Sequence, residues 1–102
     1  MSINEDLRIC EEIKDQYKNL NLEEGGEEVF KLSQLALAMY DRLNNLRFDA
    51  AFYIKNLDIA GQYTKSELRE FLKGKMKVME YIHIQCRAAV IAHKDDKKFS
   101  RY

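Results

Sequence analysis

The side chains most able to take part in chemistry in this chain of 102 residues are two histidines and two cysteines. His83 and His93 are ten residues apart, so they lack the i, i+4 spacing that places two imidazoles on one helical face to bind a metal ion. Cys10 and Cys86 fall at apolar positions of helical patterns, where a free thiol behaves as a small hydrophobic side chain. We therefore expect no catalytic residue, no metal site and no cofactor, and we predict that the protein is not an enzyme.

Basic side chains spaced by four residues indicate a different kind of site. They form a stripe along one face of a predicted helix at Lys65, Arg69, Lys73 and Lys77, and Lys97, Lys98 and Arg101 add a second group towards the end of the chain. Such a stripe could follow a phosphate backbone, with Tyr63 or Tyr102 stacking on a base. The alternative is an ordinary solvated helix face, partly neutralised by Glu70 and Glu80.

The element that must position these side chains is a long helix with an unbroken apolar seam. The seam residues recur at alternating steps of three and four: Val29, Leu32, Ala36, Met39, Leu43, Leu46, Ala50, Tyr53, Leu57 and Ala60. This spacing is typical of a helix packed lengthwise against others, as in a coiled coil or helical bundle. Because the chain has no proline and no glycine between Gly26 and Gly61, we predict one continuous helix 2 over about residues 27–60.

Two further helices flank this one. Their apolar periodicity predicts helix 1 over about residues 3–20 and helix 3 over about residues 65–93, followed by a tail at 94–102. The paired glycines Gly25 and Gly26 end the first helical stretch, and a three-residue connection at 61–63 forces helices 2 and 3 into an antiparallel hairpin. The chain is therefore predicted to be a single all-α domain over residues 1–102.

The length of helix 1 leads to a prediction about assembly. Packed antiparallel to helix 2, it would cover only the part from about Val29 to Leu43. The uncovered half carries five aromatic residues: Phe48, Phe52, Tyr53, Tyr63 and Phe71. Aromatic residues at helical spacing often form an ordinary core within the chain, but no third helix remains to cover these. We therefore expect a protein interface here, and a homodimer that completes a helical bundle.

Charge is unevenly distributed, although the net charge of the chain is zero. Residues 1–28 carry nine acidic and three basic groups, a net charge of −6, and the remainder carries +6. One part can neutralise the other by packing on it, or the separation can serve recognition of a charged partner. The chain starts without a basic or apolar run and has no apolar stretch long enough to cross a bilayer. We therefore expect no signal peptide, no membrane association and a cytoplasmic location.

These features lead to two hypotheses about function. The first is a small non-enzymatic protein–protein interaction module, such as an adaptor, inhibitor or accessory subunit, acting through the aromatic residues. The second is a nucleic-acid-binding accessory protein acting through the basic stripe. In layout, the long antiparallel helices with Lys65-Ser66-Glu67-Leu68 at the turn resemble small phage recombination accessory proteins. That resemblance, which covers no diagnostic motif, implies loading of a recombinase on single-stranded DNA.

Overall fold

The computed structural model describes residues 3–24, 26–49 and 65–92. These ranges contain three helices, α1 (Ile3–Asn19), α2 (Glu27–Phe48) and α3 (Lys65–Ala92), and no strand. The predicted all-α class is confirmed, and so is the arrangement of a hairpin of two helices with a shorter N-terminal helix.

The connection between α1 and α2 is shaped by one asparagine and one glycine. The side-chain Oδ1 of Asn21 accepts hydrogen bonds from the backbone N–H of Glu23 at 3.0 Å and of Glu24 at 3.4 Å, which closes a turn after α1. Gly26 then has φ of 106°, a conformation that residues with a side chain rarely adopt. Its carbonyl accepts the first hydrogen bond of α2, from the N–H of Phe30 at 3.2 Å. The chain thereby reverses direction within a few residues.

Helices α2 and α3 form the antiparallel hairpin, and two polar contacts define their register. Ser33 meets His83 near the open end, where the serine Oγ and the histidine Nδ1 are 3.0 Å apart. Near the other end of α2, Arg69 Nε donates to the carbonyl of Arg47 at 3.0 Å. The core runs along the hairpin and is filled by the predicted seam of α2, at Val29, Leu32, Ala36, Met39 and Leu43, together with Leu68, Leu72, Met76, Met79, Ile82 and Cys86 of α3.

Helix α1 packs on one side of the hairpin, antiparallel to α2 and parallel to α3. Its beginning is joined to α2 by an ion pair between Asp6 Oδ1 and Arg42 Nε at 2.7 Å. Its end is joined to α3 by an edge-to-face contact between Tyr17 and Tyr81, whose ring centres are 6.1 Å apart. The antiparallel packing of α1 on α2, and its coverage of the α2 segment up to about Leu43, agree with the prediction.

The prediction of one unbroken helix over about residues 27–60 is wrong. Helix α2 ends at Phe48, because the backbone of Asp49 is extended, with φ of −84° and ψ of 109°. The Asp49 N–H donates to the carbonyl of Leu46, three residues back, at 3.3 Å, which tightens the last turn. Apolar periodicity continues through this point in the sequence, but an aspartate favours helix ends and turns because its side chain competes for backbone donors. Residues 50–60 lie outside the described part of the chain.

This helix end weakens the argument that led to the dimer. Helices α1, α2 and α3 contain 17, 22 and 28 residues, so α1 is well over half as long as α2. Leu68 and Leu72, in the half expected to be uncovered, are 1% and 0% exposed in the single chain. The side chains that a second copy of the chain could contact are therefore those that the structure leaves exposed.

Candidate functional site: a basic and aromatic surface on the hairpin

The end of α2 brings an exposed aromatic ring against two arginines. The guanidinium carbon of Arg47 lies 4.8 Å from the ring centre of Phe48, and that of Arg69 lies 5.8 Å from it. Both distances are those of cation–π contacts. The hydrogen bond from Arg69 to the Arg47 carbonyl satisfies one of the last carbonyls of α2 and keeps α3 beside the ring. Phe48 nevertheless remains 64% exposed, so its ring is available to a ligand.

A shallow groove extends this surface along the hairpin. Its volume is about 170 Å³, and it is lined by Tyr40 and Arg47 of α2 and by Lys73, Met76, Lys77 and Glu80 of α3. No residue of α1 lines it, so the groove opens on the side of the hairpin away from α1. Arg47 is directed along the groove by a contact of 3.7 Å from its Nη1 to the sulfur of Met76. We call the set Arg47, Phe48, Arg69, Lys73 and Lys77 the basic–aromatic surface.

Two of its cations are not neutralised by neighbouring side chains. Within residues 3–24, 26–49 and 65–92, no carboxylate oxygen lies within 4 Å of the ammonium group of Lys73 or Lys77. Glu80 lines the groove without forming such a pair. Arg47 and Arg69 therefore lie at the ring of Phe48, and Lys73 and Lys77 lie with Arg47 along the groove. This arrangement favours an anionic ligand over an internal electrostatic role.

The structure brings together part of the predicted basic stripe and adds a residue to it. Arg69, Lys73 and Lys77 follow one another along α3 as predicted, and Arg47 joins them from α2. The sequence gives no sign of Arg47, because its place beside the stripe depends on the register of the hairpin. Lys65 begins α3, but its side chain lies outside the described residues, as do Lys97, Lys98 and Arg101.

The predicted aromatic interface is described at two of its five positions. Phe48 is 64% exposed, and Phe71 is 40% exposed with the ammonium of Lys75 at 5.5 Å from its ring centre. Lys75 also forms an ion pair of 3.4 Å with Glu11 of α1, so Phe71 lies towards the α1 side of the hairpin. Phe52, Tyr53 and Tyr63 lie outside the described residues. Sequence reasoning missed five other exposed large hydrophobic residues in the described part of the chain: Leu35, Leu37, Tyr81, Ile84 and Ile91.

A serine and a histidine in hydrogen-bond contact raise the question of catalysis. His83 Nδ1 lies 3.0 Å from both the Oγ and the carbonyl oxygen of Ser33. Because a carbonyl can only accept, a hydrogen bond from Nδ1 to it requires the tautomer with the proton on Nδ1, in which this nitrogen cannot act as a base towards the serine hydroxyl. The hydroxyl lies 3.4 Å from the carbonyl of His83, to which it can donate. The pair therefore cross-links α2 and α3, and Ser33 is only 5% exposed.

The two cysteines are buried thiols. Burial raises the pKa of the Cys10 thiol from 9.0 to about 11, and it also raises the pKa of Cys86, which disfavours the thiolate at both positions. Across the described ranges, no three His, Cys, Asp or Glu side chains are grouped so that they could hold a metal ion. His93, the other histidine of interest, lies outside them.

Comparison of the chain with protein-family models, with curated proteins and with solved structures gives no match. Among the helices of the described residues, none combines the length and the apolar character that crossing a membrane requires. The charge and the exposed ring of the basic–aromatic surface therefore remain the guide to the class of ligand.

Proposed function

We propose that this protein is a small non-enzymatic binding protein that binds single-stranded nucleic acid through the basic–aromatic surface. The observation that carries the proposal is that Arg47 of α2 lies both beside the exposed ring of Phe48, together with Arg69, and in the groove that Lys73 and Lys77 of α3 line. Basic residues in a row along a single helix are common on solvated helix faces. Folding does not require basic residues from two helices to meet near an exposed aromatic ring.

The chemistry of the surface fits a single strand better than a duplex. Lys73 and Lys77 offer point charges for successive phosphates, and each phosphate neutralised releases bound counterions. The ring of Phe48 offers a stacking surface, which only an unpaired base can use. This activity is also the one implied by the resemblance in layout to phage recombination accessory proteins.

The test is fluorescence anisotropy with a labelled oligothymidine at low and high salt. We expect steeply salt-dependent binding by the wild type, and loss of binding by Lys73→Glu combined with Lys77→Glu. A matched control is Lys18→Glu combined with Lys31→Glu, which makes the same charge change at exposed lysines of α1 and α2 and leaves the basic–aromatic surface intact. Phe48→Ala should weaken binding by about 1–3 kcal/mol and leave the salt dependence unchanged.

Wild-type protein that does not bind the oligonucleotide even at low salt would contradict the proposal. So would a control pair that loses as much affinity as the Lys73 and Lys77 pair. Far-UV circular dichroism of each variant establishes that the helices are intact.

A second candidate function, protein–protein interaction with homodimer formation, is favoured by a separate observation. Large apolar side chains are exposed on both helices of the hairpin, and Phe48, Ile84 and Ile91 are each more than half exposed. Such residues favour a partner that removes them from water. For the aromatic interface predicted above, Phe48→Asp should dissociate the dimer in sedimentation equilibrium. A wild-type chain that remains a monomer of 12.1 kDa at all accessible concentrations would exclude the homodimer.

A cytoplasmic location is part of the same proposal. Cys10 and Cys86 are both buried and unbridged. Free thiols are typical of proteins in reducing compartments, where disulfides do not persist.

A further inference from the structure

Helix α3 carries a second row of regularly spaced residues on its outer surface. The row consists of Lys77, Glu80, Ile84, Arg87 and Ile91, at alternating steps of three and four, and we call it the outer row. This spacing is that of a seam between two packed helices. Ile84 and Ile91 are nevertheless 51% and 56% exposed, so the row has no helix packed on it in the single chain.

The outer row lies on the side of the hairpin away from α1. Lys77 and Glu80 line the groove that α2 and α3 form without α1. Lys75, which pairs with Glu11 of α1, lies on the opposite edge of the helix, whereas Tyr81, which contacts Tyr17, is three residues before Ile84 and borders the outer row. On α2, Leu37 is three residues from the groove residue Tyr40, so it shares this side, and it is 41% exposed. The side therefore offers apolar surface that α1 does not cover.

The charges on either side of Ile84 are complementary to each other. Glu80 precedes Ile84 by four residues, and Arg87 follows it by three. Both side chains are exposed, and neither lies within 4 Å of an opposite charge among the residues that the structure describes. They are too far apart along the helix to pair within one chain, since side chains seven residues apart are separated by about 10 Å.

We infer that two copies of this chain pair through the outer rows of α3, antiparallel and with the two-fold axis at Ile84. In this arrangement, each residue before Ile84 in one copy lies opposite the residues at about the same distance after Ile84 in the other copy. Glu80 then meets Arg87 of the second copy, and symmetry makes the same contact twice. Ile84 packs on its own equivalent, and the aliphatic part of Lys77 covers Ile91.

This self-complementarity is the reason to propose a second copy as the partner, and the inference rests on the proposed interaction function. A row with one sign of charge would require a partner of the opposite sign. In the outer row, Glu80 and Arg87 lie on either side of an apolar centre and satisfy each other under two-fold rotation, while Lys77 lies at the two ends of the overlap. The overlap from Lys77 to Ile91 is about 21 Å long, which indicates a weak, concentration-dependent dimer.

The test is sedimentation equilibrium on the full chain over a range of concentrations. Glu80→Arg and Arg87→Glu should each weaken the dimer about tenfold, because each turns two attractive contacts into two repulsive ones. The combined variant restores opposite charges across the axis, so its dissociation constant should return to within about threefold of the wild-type value. Ile84→Asp should weaken the dimer at least about a hundredfold by placing two carboxylates together at the axis.

The matched control is Glu70→Arg, the same charge change on the same helix but outside the overlap. It should leave the dissociation constant unchanged. Charge variants without effect, or a combined variant that fails to recover, would overturn the inference. If Phe48→Asp alone dissociates the dimer, the aromatic interface is supported and the outer row is not. If the wild type is monomeric throughout, both dimers are excluded, and oligonucleotide binding by the same samples still decides the nucleic-acid proposal independently.

Discussion

Asp6 is the residue whose environment departs furthest from what its type favours. It is 1% exposed, and its Oδ1 accepts a hydrogen bond of 2.7 Å from Arg42 Nε. Its Oδ2 is also buried and has no hydrogen-bond partner in the described ranges. The hydrogen bond to Asp6 raises the pKa of Arg42 from its usual value, so the arginine remains charged at any ordinary pH. The buried carboxylate therefore depends on a single partner, which ties the start of α1 to α2.

Removing the Arg42 guanidinium should destabilise the folded protein. We expect Arg42→Met to lower the free energy of unfolding by about 3 kcal/mol, the lower end of the range for breaking a buried pair, because the Arg42 side chain is 36% exposed. Asp6→Leu combined with Arg42→Met should recover most of the loss, since no charge is then left buried. Urea unfolding measures both. Arg8→Met, which removes the exposed pair with Glu12, is the control and should cost less than about 0.5 kcal/mol.

The two cysteines give a prediction about reactivity. Because burial raises the pKa of both thiols, native protein at pH 8 should react with a thiol reagent such as DTNB only as fast as it unfolds. Cys10 ionises near pH 9.0 when unfolded and near pH 11 when folded, so stability should fall as the pH rises through this interval. Fast labelling of either thiol in native protein, compared with a sample in denaturant, would contradict the buried positions.

At the scale of the helices, two glycines have opposite roles. Gly26 precedes α2 with φ of 106°, which a side chain would strain, whereas Gly74 lies exposed within α3 with no atom within 4 Å of an added Cβ. Gly26→Ala should therefore destabilise the protein by about 1 kcal/mol or more. Gly74→Ala should stabilise it by about 0.8–1 kcal/mol, because alanine restricts the unfolded chain and favours the helix.

Thermal melts of the two variants, measured side by side, separate the two roles. An equal rise in the melting temperature of both variants would show that the conformation at Gly26 is not required for α2 to begin. Loss of stability in Gly74→Ala would show that the surface at that position is not open.

The helices also show which parts of the fold the sequence can predict. The seams of α2 and α3 are buried where their spacing places them, as at Leu43 and Leu72, because periodicity is a property of one helix by itself. The end of α2 at Phe48 was not predictable from that pattern, since the apolar spacing continues past Asp49. The place of Arg47 in the candidate site depends on the position of α2 along the axis of α3. A register of this kind is set by contacts between distant residues, such as Ser33 with His83.

At the scale of the whole molecule, α1 and the hairpin differ in how deeply they enter the core. Of the fully buried apolar residues in the described ranges, α1 supplies only Cys10 and Ile13, and α2 and α3 supply the rest. Native-state hydrogen exchange should therefore show that α1 opens at a lower free energy than the core of the hairpin. Arg42→Met should speed exchange in α1 more than in α3. Equal protection of all three helices would indicate a single cooperative unit instead.

The position of the glutamates at the start of α2 has a further consequence. Glu23, Glu24, Glu27 and Glu28 lie at or just before the beginning of α2, and Arg47 lies at its end, about 30 Å away along the axis. Opposite charges held this far apart contribute an electric dipole along α2. In the field of a polyanion, this dipole feels a torque that turns the arginine end forward before contact. For the proposed binding of nucleic acid, we therefore expect an association rate that falls steeply as added salt screens the field.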